Sequence, residues 1–184
     1  MQERRGRVIL LNGASSSGKS SIGRALLAVL PDPWFLMPVD TISGMRSTVH
    51  ARALAEVEAQ ETLRRTRRGY HRAVAALASV GNDVIMDYPL SEPWRLDDLL
   101  DVLDGYEVTL VEIRCSPEEL DRREKSRGDR LIGLASSQTT VFAHGAFDIA
   151  VDTTSTAPEA CAMTIANALS TVPAPKAFDR LRRT

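Results

Sequence analysis

The sequence predicts an α/β fold, a three-layer α/β/α sandwich built on a parallel five-stranded sheet. Short apolar runs alternate along the chain with longer segments of helical periodicity, which is the pattern of successive strand-helix-strand units. The run at 108–115 is continuously apolar enough for a strand buried on both faces of a parallel sheet. A glycine-rich turn joins the first strand to the first helix. At 184 residues the chain fits one domain, residues 1–184, better than two.

A phosphate-binding motif follows the first predicted strand. Residues 13–20 read G-x-x-x-x-G-K-S between an apolar run at 8–11 and a helix-compatible segment at 22–30, which is the context this motif requires. Backbone N–H groups of such a P-loop surround an anion, and the start of the next helix adds its positive dipole end. The plain alternative is a serine- and glycine-rich loop with a chance lysine.

The P-loop predicts a bound nucleoside triphosphate with Mg²⁺. Lys19 is expected to reach the β- and γ-phosphates, and the Ser20 hydroxyl is expected to bind Mg²⁺. The predicted nucleotide-binding residues are Gly13, Ala14, Ser15, Ser16, Ser17, Gly18, Lys19, Ser20 and Ser21.

Two acids are predicted at the ends of strands. We expect one strand at 34–40 to end with Asp40, and a second strand at 83–87 to end with Asp87. Ligands of parallel α/β sheets gather beyond the carboxyl ends of the strands. Three apolar residues followed by an acid, as at Asp87, are typical of a Walker B strand whose carboxylate holds Mg²⁺. Asp40 is then the candidate base, although the sequence leaves open which of the two acids takes the proton.

An arginine cluster lies in the alanine-rich segment 51–79, which we expect to be helical, with Gly69 as a possible break between two helices. One interpretation is a solvated helix face next to glutamates. The other is a wall that attracts an anionic substrate. The cluster consists of Arg64, Arg65, Arg67, Arg68 and Arg72.

A second basic segment follows a clear helix start. Residues 116–119 read Ser-Pro-Glu-Glu, a capping box with proline at the first helical position. The predicted helix runs into Ser-Arg-Gly-Asp-Arg, where Arg127 and Arg130 flank the glycine. We expect these two arginines to contact phosphate and neutralise charge on the transferred group. A solvated helix end is the alternative.

Composition excludes several classes of protein. The formal net charge of −1 offers no basic field for nucleic acid. No apolar run reaches membrane-spanning length, and the polar first six residues predict no signal peptide, so we expect a cytoplasmic protein. Cys115 and Cys161 are expected to be unpaired. We expect a core of about 7–172, with a basic, loosely held tail at 173–184.

Taken together, these motifs resemble the chloramphenicol phosphotransferase family from about residue 7 to residue 170. The resemblance implies a fold like that of the small nucleotide and shikimate kinases, ATP as the nucleotide, and transfer of its γ-phosphate to a hydroxyl of a small molecule such as an antibiotic. It also implies that Asp40 is the catalytic acid. The motifs that carry the resemblance are residues 9–13, Ser15-Ser16, Gly18-Lys19-Ser20, Val39-Asp40, residues 84–87, Ile113-Arg114-Cys115, residues 127–130 and residues 151–154.

Two other functions remain open at the level of sequence. One is a metabolic kinase of a nucleoside, a sugar or a shikimate-like acid, for which an anionic acceptor would explain the arginine cluster. The other is a nucleotide-binding switch without catalysis. The sequence does not indicate the oligomeric state.

Overall fold

The computed structural model describes residues 4–47, 54–127, 133, 138 and 140–183. The strands are β1 Val8–Asn12, β2 Trp34–Pro38, β3 Asp83–Asp87, β4 Val108–Arg114 and β5 Ile149–Asp152. The helices are α1 Lys19–Val29, α2 Val39–Gly44, α3 Glu56–Ser79, α4 Pro93–Val102, α5 Pro117–Arg127, α6 Pro158–Ala168 and α7 Ala177–Leu181, with a 3₁₀ turn at Leu169–Thr171.

The five strands form one parallel sheet in the order β2-β3-β1-β4-β5. The carboxyl end of β1, which leads into the P-loop, therefore lies between the ends of β3 and β4. In the register, Leu11 of β1 lies beside Asp87 of β3, and Asp87 lies beside Pro38 of β2. The predicted fold class is confirmed, and the sheet order brings the P-loop and β3 together.

The central strands β1, β3 and β4 are buried on both faces, and their alternate residues pack into two separate cores. In β1, Val8 and Leu10 belong to a core with residues of α3, α4 and α7, whereas Ile9 and Leu11 belong to a core with residues of α1 and α6. This alternation follows from the two-residue period of a strand. It produces the predicted three layers, with helices on both sides of the sheet.

Two predicted boundaries are wrong. Strand β2 ends at Pro38, and Asp40 lies in the first turn of α2, where the helix dipole favours an acid. Gly69 does not divide the helical segment, because α3 is one helix of 24 residues. A glycine inside a helix costs about 1 kcal/mol relative to alanine. Burial of Tyr70 and Val74 on the same helix offsets that cost.

The expectation of a loosely held tail is also wrong. Phe178 of α7 is 1% exposed and belongs to the same core as α3 and α4. The Ala177 amide donates to Asp148 Oδ1 at 2.7 Å, and the Arg182 guanidinium donates to the Leu103 carbonyl at 2.6 Å. The proline-rich and basic composition of the tail indicated a loose segment, but the buried Phe178 side chain attaches it to the core.

The predicted N-cap is confirmed, because the Glu119 amide donates to Ser116 Oγ at 3.3 Å at the start of α5. The reciprocal half of the capping box is not formed, because the Ser116 amide donates to Thr154 Oγ1 at 2.9 Å. Both cysteines are free thiols. Within the described ranges, no helix combines the length and the apolar character needed to cross a bilayer.

Candidate active site

The P-loop forms a tight turn between β1 and α1. Ser16 and Gly18 both have positive φ values, 60° and 92°. At Gly13 a side chain is excluded, since a Cβ would come within 2.6 Å of the Ile113 carbonyl oxygen and 2.7 Å of Ser17 Oγ. No side chain caps the amino end of α1 within the described part of the chain. The loop therefore presents backbone N–H groups and a helix start, which is the arrangement that binds phosphate.

Lys19 is buried and its ammonium group folds back onto the loop. Its Nζ atom donates to the carbonyl oxygens of Gly13 at 2.8 Å and Ala14 at 2.6 Å. These hydrogen bonds hold the charged group beside the loop, where an incoming phosphate would meet it.

The other side of the P-loop is held by residues that the sequence analysis did not select. Thr153, directly after β5, donates from its hydroxyl to the Ser17 carbonyl at 2.9 Å. Arg123 of α5 donates to the Ser16 carbonyl at 3.3 Å and to the Thr153 carbonyl at 2.5 Å. Both side chains fix the loop through its carbonyl oxygens, which leaves its N–H groups directed elsewhere. The arginine-rich helix was a visible signal for Arg123, but the predicted contacts fell on its neighbours.

Ser20 and Asp87 meet across the carboxyl edge of the sheet. Ser20 Oγ, in the first turn of α1, donates to Asp87 Oδ2 at 2.5 Å. The pair results from the register of β1 against β3, since Asp87 lies beside Leu11 just before the P-loop begins. A hydroxyl and a carboxylate oxygen are donors that Mg²⁺ accepts. The two residues predicted to hold the metal are therefore in direct contact.

Asp40 lies at the same edge although it is not part of a strand. Its side chain lines a cavity of about 220 Å³ together with Lys19, Ser20 and Asp87. Asp40 is exposed, whereas Asp87 is buried and bonded to Ser20. The two acids thus occupy different environments within one cavity, which the sequence alone did not distinguish.

Two arginines complete the wall of this cavity opposite the P-loop. Arg67 of α3 and Arg95 of α4 both line it. Arg95 is 6% exposed, forms an ion pair with Glu92, and donates to the Pro89 carbonyl at 3.1 Å. Burial and the neighbouring Arg95 lower the pKa of Arg67 from its usual value. In the sequence, Arg67 is one of five arginines in the predicted cluster, and no local motif marks Arg95 as a site residue.

The rest of the arginine cluster has other partners. Arg68 and Arg72 form ion pairs with Asp98 of α4, and the exposed Arg65 donates to Thr62 Oγ1 at 3.3 Å. Arg64 stacks over the Trp94 ring at 5.4 Å. Most of the cluster is therefore exposed to solvent, as the solvated-face interpretation predicts, but its ion-pair partner is Asp98 of α4 and not the neighbouring glutamates. Of the five arginines, Arg67 is the one that lines the P-loop cavity.

Three buried rings, those of Tyr70, His71 and Tyr88, pack against one another next to the site. The Tyr70 hydroxyl donates to the Met37 carbonyl at 2.7 Å, and the Tyr70 and Tyr88 rings are 5.3 Å apart. His71 is fully buried, with Nδ1 2.6 Å from Asp98 Oδ2 and with Nε2 making no hydrogen bond in the described structure. Burial lowers the pKa of His71 to about 4 despite this hydrogen bond to Asp98. The imidazole is thus neutral at pH 7.

Arg127 and Arg130, the two arginines predicted to contact phosphate, cannot be compared with the described structure. Arg130 lies outside the described residues, and so does the side chain of Arg127. Their roles stay a prediction. From the same region, Gln138 is described, and its side-chain oxygen accepts a hydrogen bond from the Ser15 amide at 2.6 Å. That contact shows that the P-loop N–H groups bind an oxygen acceptor.

Comparisons with known proteins agree with this geometry. The model of the family described as "Chloramphenicol phosphotransferase-like protein" matches residues 6–170. A protein of Mycobacterium tuberculosis with the provisional name O-phosphotransferase is 31% identical over 199 residues, which covers 97% of this chain and 88% of the relative.

Several solved structures with the same fold are kinases, and their sequence identity to this chain is low. The Mycobacterium tuberculosis APS kinase in complex with AMPPNP and APS is 17% identical, covers 90% of this chain and 98% of its own, and superposes with a TM-score of 0.69. A gluconokinase from Sinorhizobium meliloti is 17% identical, covers 99% of both chains and has a TM-score of 0.63. At this identity the likeness shows the fold alone.

Proposed function

The chain belongs to the chloramphenicol phosphotransferase-like family, and we propose that it transfers the γ-phosphate of ATP to a hydroxyl group of an antibiotic-sized small molecule. That the protein is a phosphotransferase follows from its family and its relative in Mycobacterium tuberculosis. The proposal concerns the acceptor and the residues that act on it. The contact between Ser20 and Asp87 beside the P-loop carries it, because it pairs the two expected metal ligands within reach of Asp40.

The residues fit ATP and Mg²⁺. The P-loop has uncapped N–H groups at the start of α1, the Lys19 ammonium lies beside the loop, and two oxygen donors meet at its edge. In this assignment Ser20 and Asp87 hold Mg²⁺, while residues 13–21 and Lys19 hold the phosphates. When bound, Mg²⁺ supplies charge neutralisation for the transferred group.

Asp40 is assigned as the group that orients the acceptor and takes its proton. In the step, the acceptor oxygen bonds to the γ-phosphorus, the bond from that phosphorus to the β,γ-bridging oxygen breaks, and ADP leaves. The hydroxyl proton passes to an Asp40 carboxylate oxygen. Its exposure within the cavity supports this role, since Asp87 is buried and already engaged with Ser20. Such a base contributes about 10²–10⁴-fold to the rate.

Arg127 and Arg130 are proposed to neutralise charge on the transferred phosphoryl group, as the resemblance to the family implies. Arg123 is a positioning residue in the same scheme, because it contacts the P-loop through the Ser16 carbonyl. Phosphoryl transfer requires mainly positioning and charge neutralisation. A site made of one lysine, several arginines and two acids is suited to both.

An acceptor screen tests the proposal. The protein is incubated with Mg-ATP and a panel of chloramphenicol, other hydroxylated antibiotics and hydroxylated metabolites, and the products are examined by mass spectrometry. We expect one acceptor to gain the mass of one phosphate, with the gain abolished in Lys19→Met. If every compound is returned unmodified while ATP binds tightly, the chain is a nucleotide-binding switch.

A metabolic kinase with an anionic acceptor is the second candidate. Arg67 favours it, because a half-buried guanidinium that lines the cavity together with Asp40 is suited to a charged ligand. The same screen separates the two candidates by which class of compound gains the phosphate.

A further inference from the structure

Arg67 stands out among the charged side chains of the cavity. It makes no ion pair with any described residue, and its one side-chain hydrogen bond there runs from Nη1 to Ser43 Oγ at 3.1 Å. Its Nε atom is inaccessible to solvent and lacks a hydrogen-bond partner in the described structure. Asp40 attracts it only at longer range, while Arg95 repels it. A half-buried guanidinium whose charge has no ion-pair partner among the described residues is suited to binding an anion.

Arg95 presents a second incompletely satisfied guanidinium beside the first. Its Nη1 atom donates to the Pro89 carbonyl and its Nη2 atom to Glu92, whereas its buried Nε makes no hydrogen bond to a described residue. Arg67 and Arg95 line the P-loop cavity together. Two neighbouring guanidinium groups offer the planar sets of N–H donors that match carboxylate, sulfate and phosphate oxygens.

The same two arginines also border a second groove that leads away from the nucleotide. This more open cavity, of about 640 Å³, lies between α3 and α4, and none of the P-loop residues lines it. Leu63 and the Trp94 ring supply apolar surface there, and Arg64 and Arg95 lie 5.4 and 5.9 Å from that ring. Leu63, Arg67 and Arg95 line both cavities, so the groove adjoins the cavity that holds Asp40.

We propose that the acceptor carries, besides the hydroxyl that receives the phosphoryl group, an anionic group that binds between the guanidinium groups of Arg67 and Arg95. This inference rests on the proposed function, and it specifies the acceptor class as a hydroxylated compound with a phosphate, sulfate or carboxylate. The ring of Trp94 then covers the apolar part of the same molecule.

The triphosphate of ATP does not need this pair. Its expected binding groups lie at the end of β1: the P-loop N–H groups, the start of α1 and the ammonium group of Lys19. Arg67 and Arg95 come from α3 and α4, and both continue into the groove that lacks P-loop residues. The anion that they bind is therefore on the acceptor side of Asp40.

Tryptophan fluorescence tests the anion site directly. The chain has two tryptophans, so Trp34→Phe leaves Trp94, at the groove, as the only reporter. With saturating Mg-AMP-PNP on the P-loop, sodium sulfate, phosphate and acetate are titrated separately at constant ionic strength. We expect a saturable change in Trp94 emission for at least one anion, and the anion that saturates at the lowest concentration identifies the headgroup chemistry.

Matched variants on one helix separate a specific site from general charge. Arg67→Met in the reporter background is expected to weaken anion binding at least about 10-fold, as the loss of a charge-assisted hydrogen bond predicts. Arg67→Lys should restore part of it. Arg65→Met removes an equal charge from the exposed side of α3 and should leave binding unchanged. No saturable signal, or equal affinities in Arg67→Met and Arg65→Met, would overturn the inference.

Kinetics with the acceptor found by mass spectrometry keep the two proposals apart. If the inference is correct, Arg67→Met raises the KM for the acceptor about 10-fold or more and leaves the KM for ATP unchanged. Transfer to an uncharged alcohol with an acceptor KM that is unaltered in Arg67→Met would refute the anion site but retain the phosphotransferase. Anion binding that depends on Arg67, without transfer to any alcohol, would refute the proposed acceptor chemistry instead.

Discussion

The buried imidazole of His71 predicts a specific loss of stability in mild acid. His71 is 0% exposed, and its Nδ1–H is directed at Asp98 Oδ2, 2.6 Å away. Its Nε2 faces no hydrogen-bond partner among the described residues. Protonation of Nε2 would thus place a charged N–H next to the rings of Tyr70 and Tyr88, whose centroids lie 6.1 and 5.0 Å away.

The size and direction of the effect follow from the pKa. Burial lowers the pKa of His71 from 6.5 to about 4 in the folded protein, although the hydrogen bond to Asp98 opposes this shift. Below pH 6.5 the unfolded chain binds a proton that the folded chain refuses, so stability falls until the pH reaches about 4. From pH 7 to pH 4.5 the loss from this one group is about 2.5 kcal/mol.

Asp98 acts in a separate window of pH. Burial opposes the shift, but hydrogen bonds from Arg72 and His71 lower the pKa of Asp98 to about 2 from 3.8. Its contribution to stability is therefore present above pH 3.8 and is lost only as the pH falls towards 2. Between pH 7 and pH 4.5 the response of His71 can be measured without it.

Urea unfolding at pH 7, 6, 5 and 4.5 measures this response. His71→Gln keeps an N–H donor for Asp98 but does not titrate, so its free energy of unfolding should decline by about 2.5 kcal/mol less than that of the wild type. His144→Gln is the comparison variant, because burial also lowers the pKa of His144, whose Nε2 lies 3.0 Å from Asn12 Nδ2 and not beside Asp98. Parallel pH curves for the wild type and His71→Gln would show that the imidazole is not held neutral by the fold.

Three further predictions address the site and the carboxyl-terminal helix. Asp40→Asn should lower kcat by about 10²–10⁴-fold with no change in ATP affinity, measured by steady-state kinetics and calorimetry; near-normal turnover would remove Asp40 as the base. Asp87→Asn should raise the Mg²⁺ concentration for half-maximal activity at least about 10-fold, with Asp97→Asn as an exposed control. Phe178→Ala should lower the free energy of unfolding by about 3–5 kcal/mol in urea denaturation, whereas a loss below about 1 kcal/mol would mean that α7 contributes little to the core.

The P-loop and the buried strands could be predicted because their signals are local. Eight consecutive residues, 13–20, specify a backbone conformation and a charge, and the flanking strand and helix follow from apolar periodicity. The helix start at Ser116 was equally readable, since its hydrogen bond spans only three residues.

Long-range partners could not be read in this way. Thr153 bonds to a P-loop carbonyl 136 positions earlier in the chain, and Arg123 reaches Ser16 across 107 positions. Arg67 differs from its neighbours on α3 only by the direction in which its side chain leaves the helix. That direction has meaning only once α4 and the P-loop are in place.

The sequence by itself determined that this chain carries a phosphate-binding turn at the edge of a parallel sheet, because that turn is encoded by contiguous residues that need no distant partner. Only the tertiary structure decided how the two acids differ, since β1 must lie beside β3 before Ser20 can engage Asp87 and leave Asp40 exposed in the cavity. It also decided which arginine faces the site, because burial and charge repulsion are properties of packed elements.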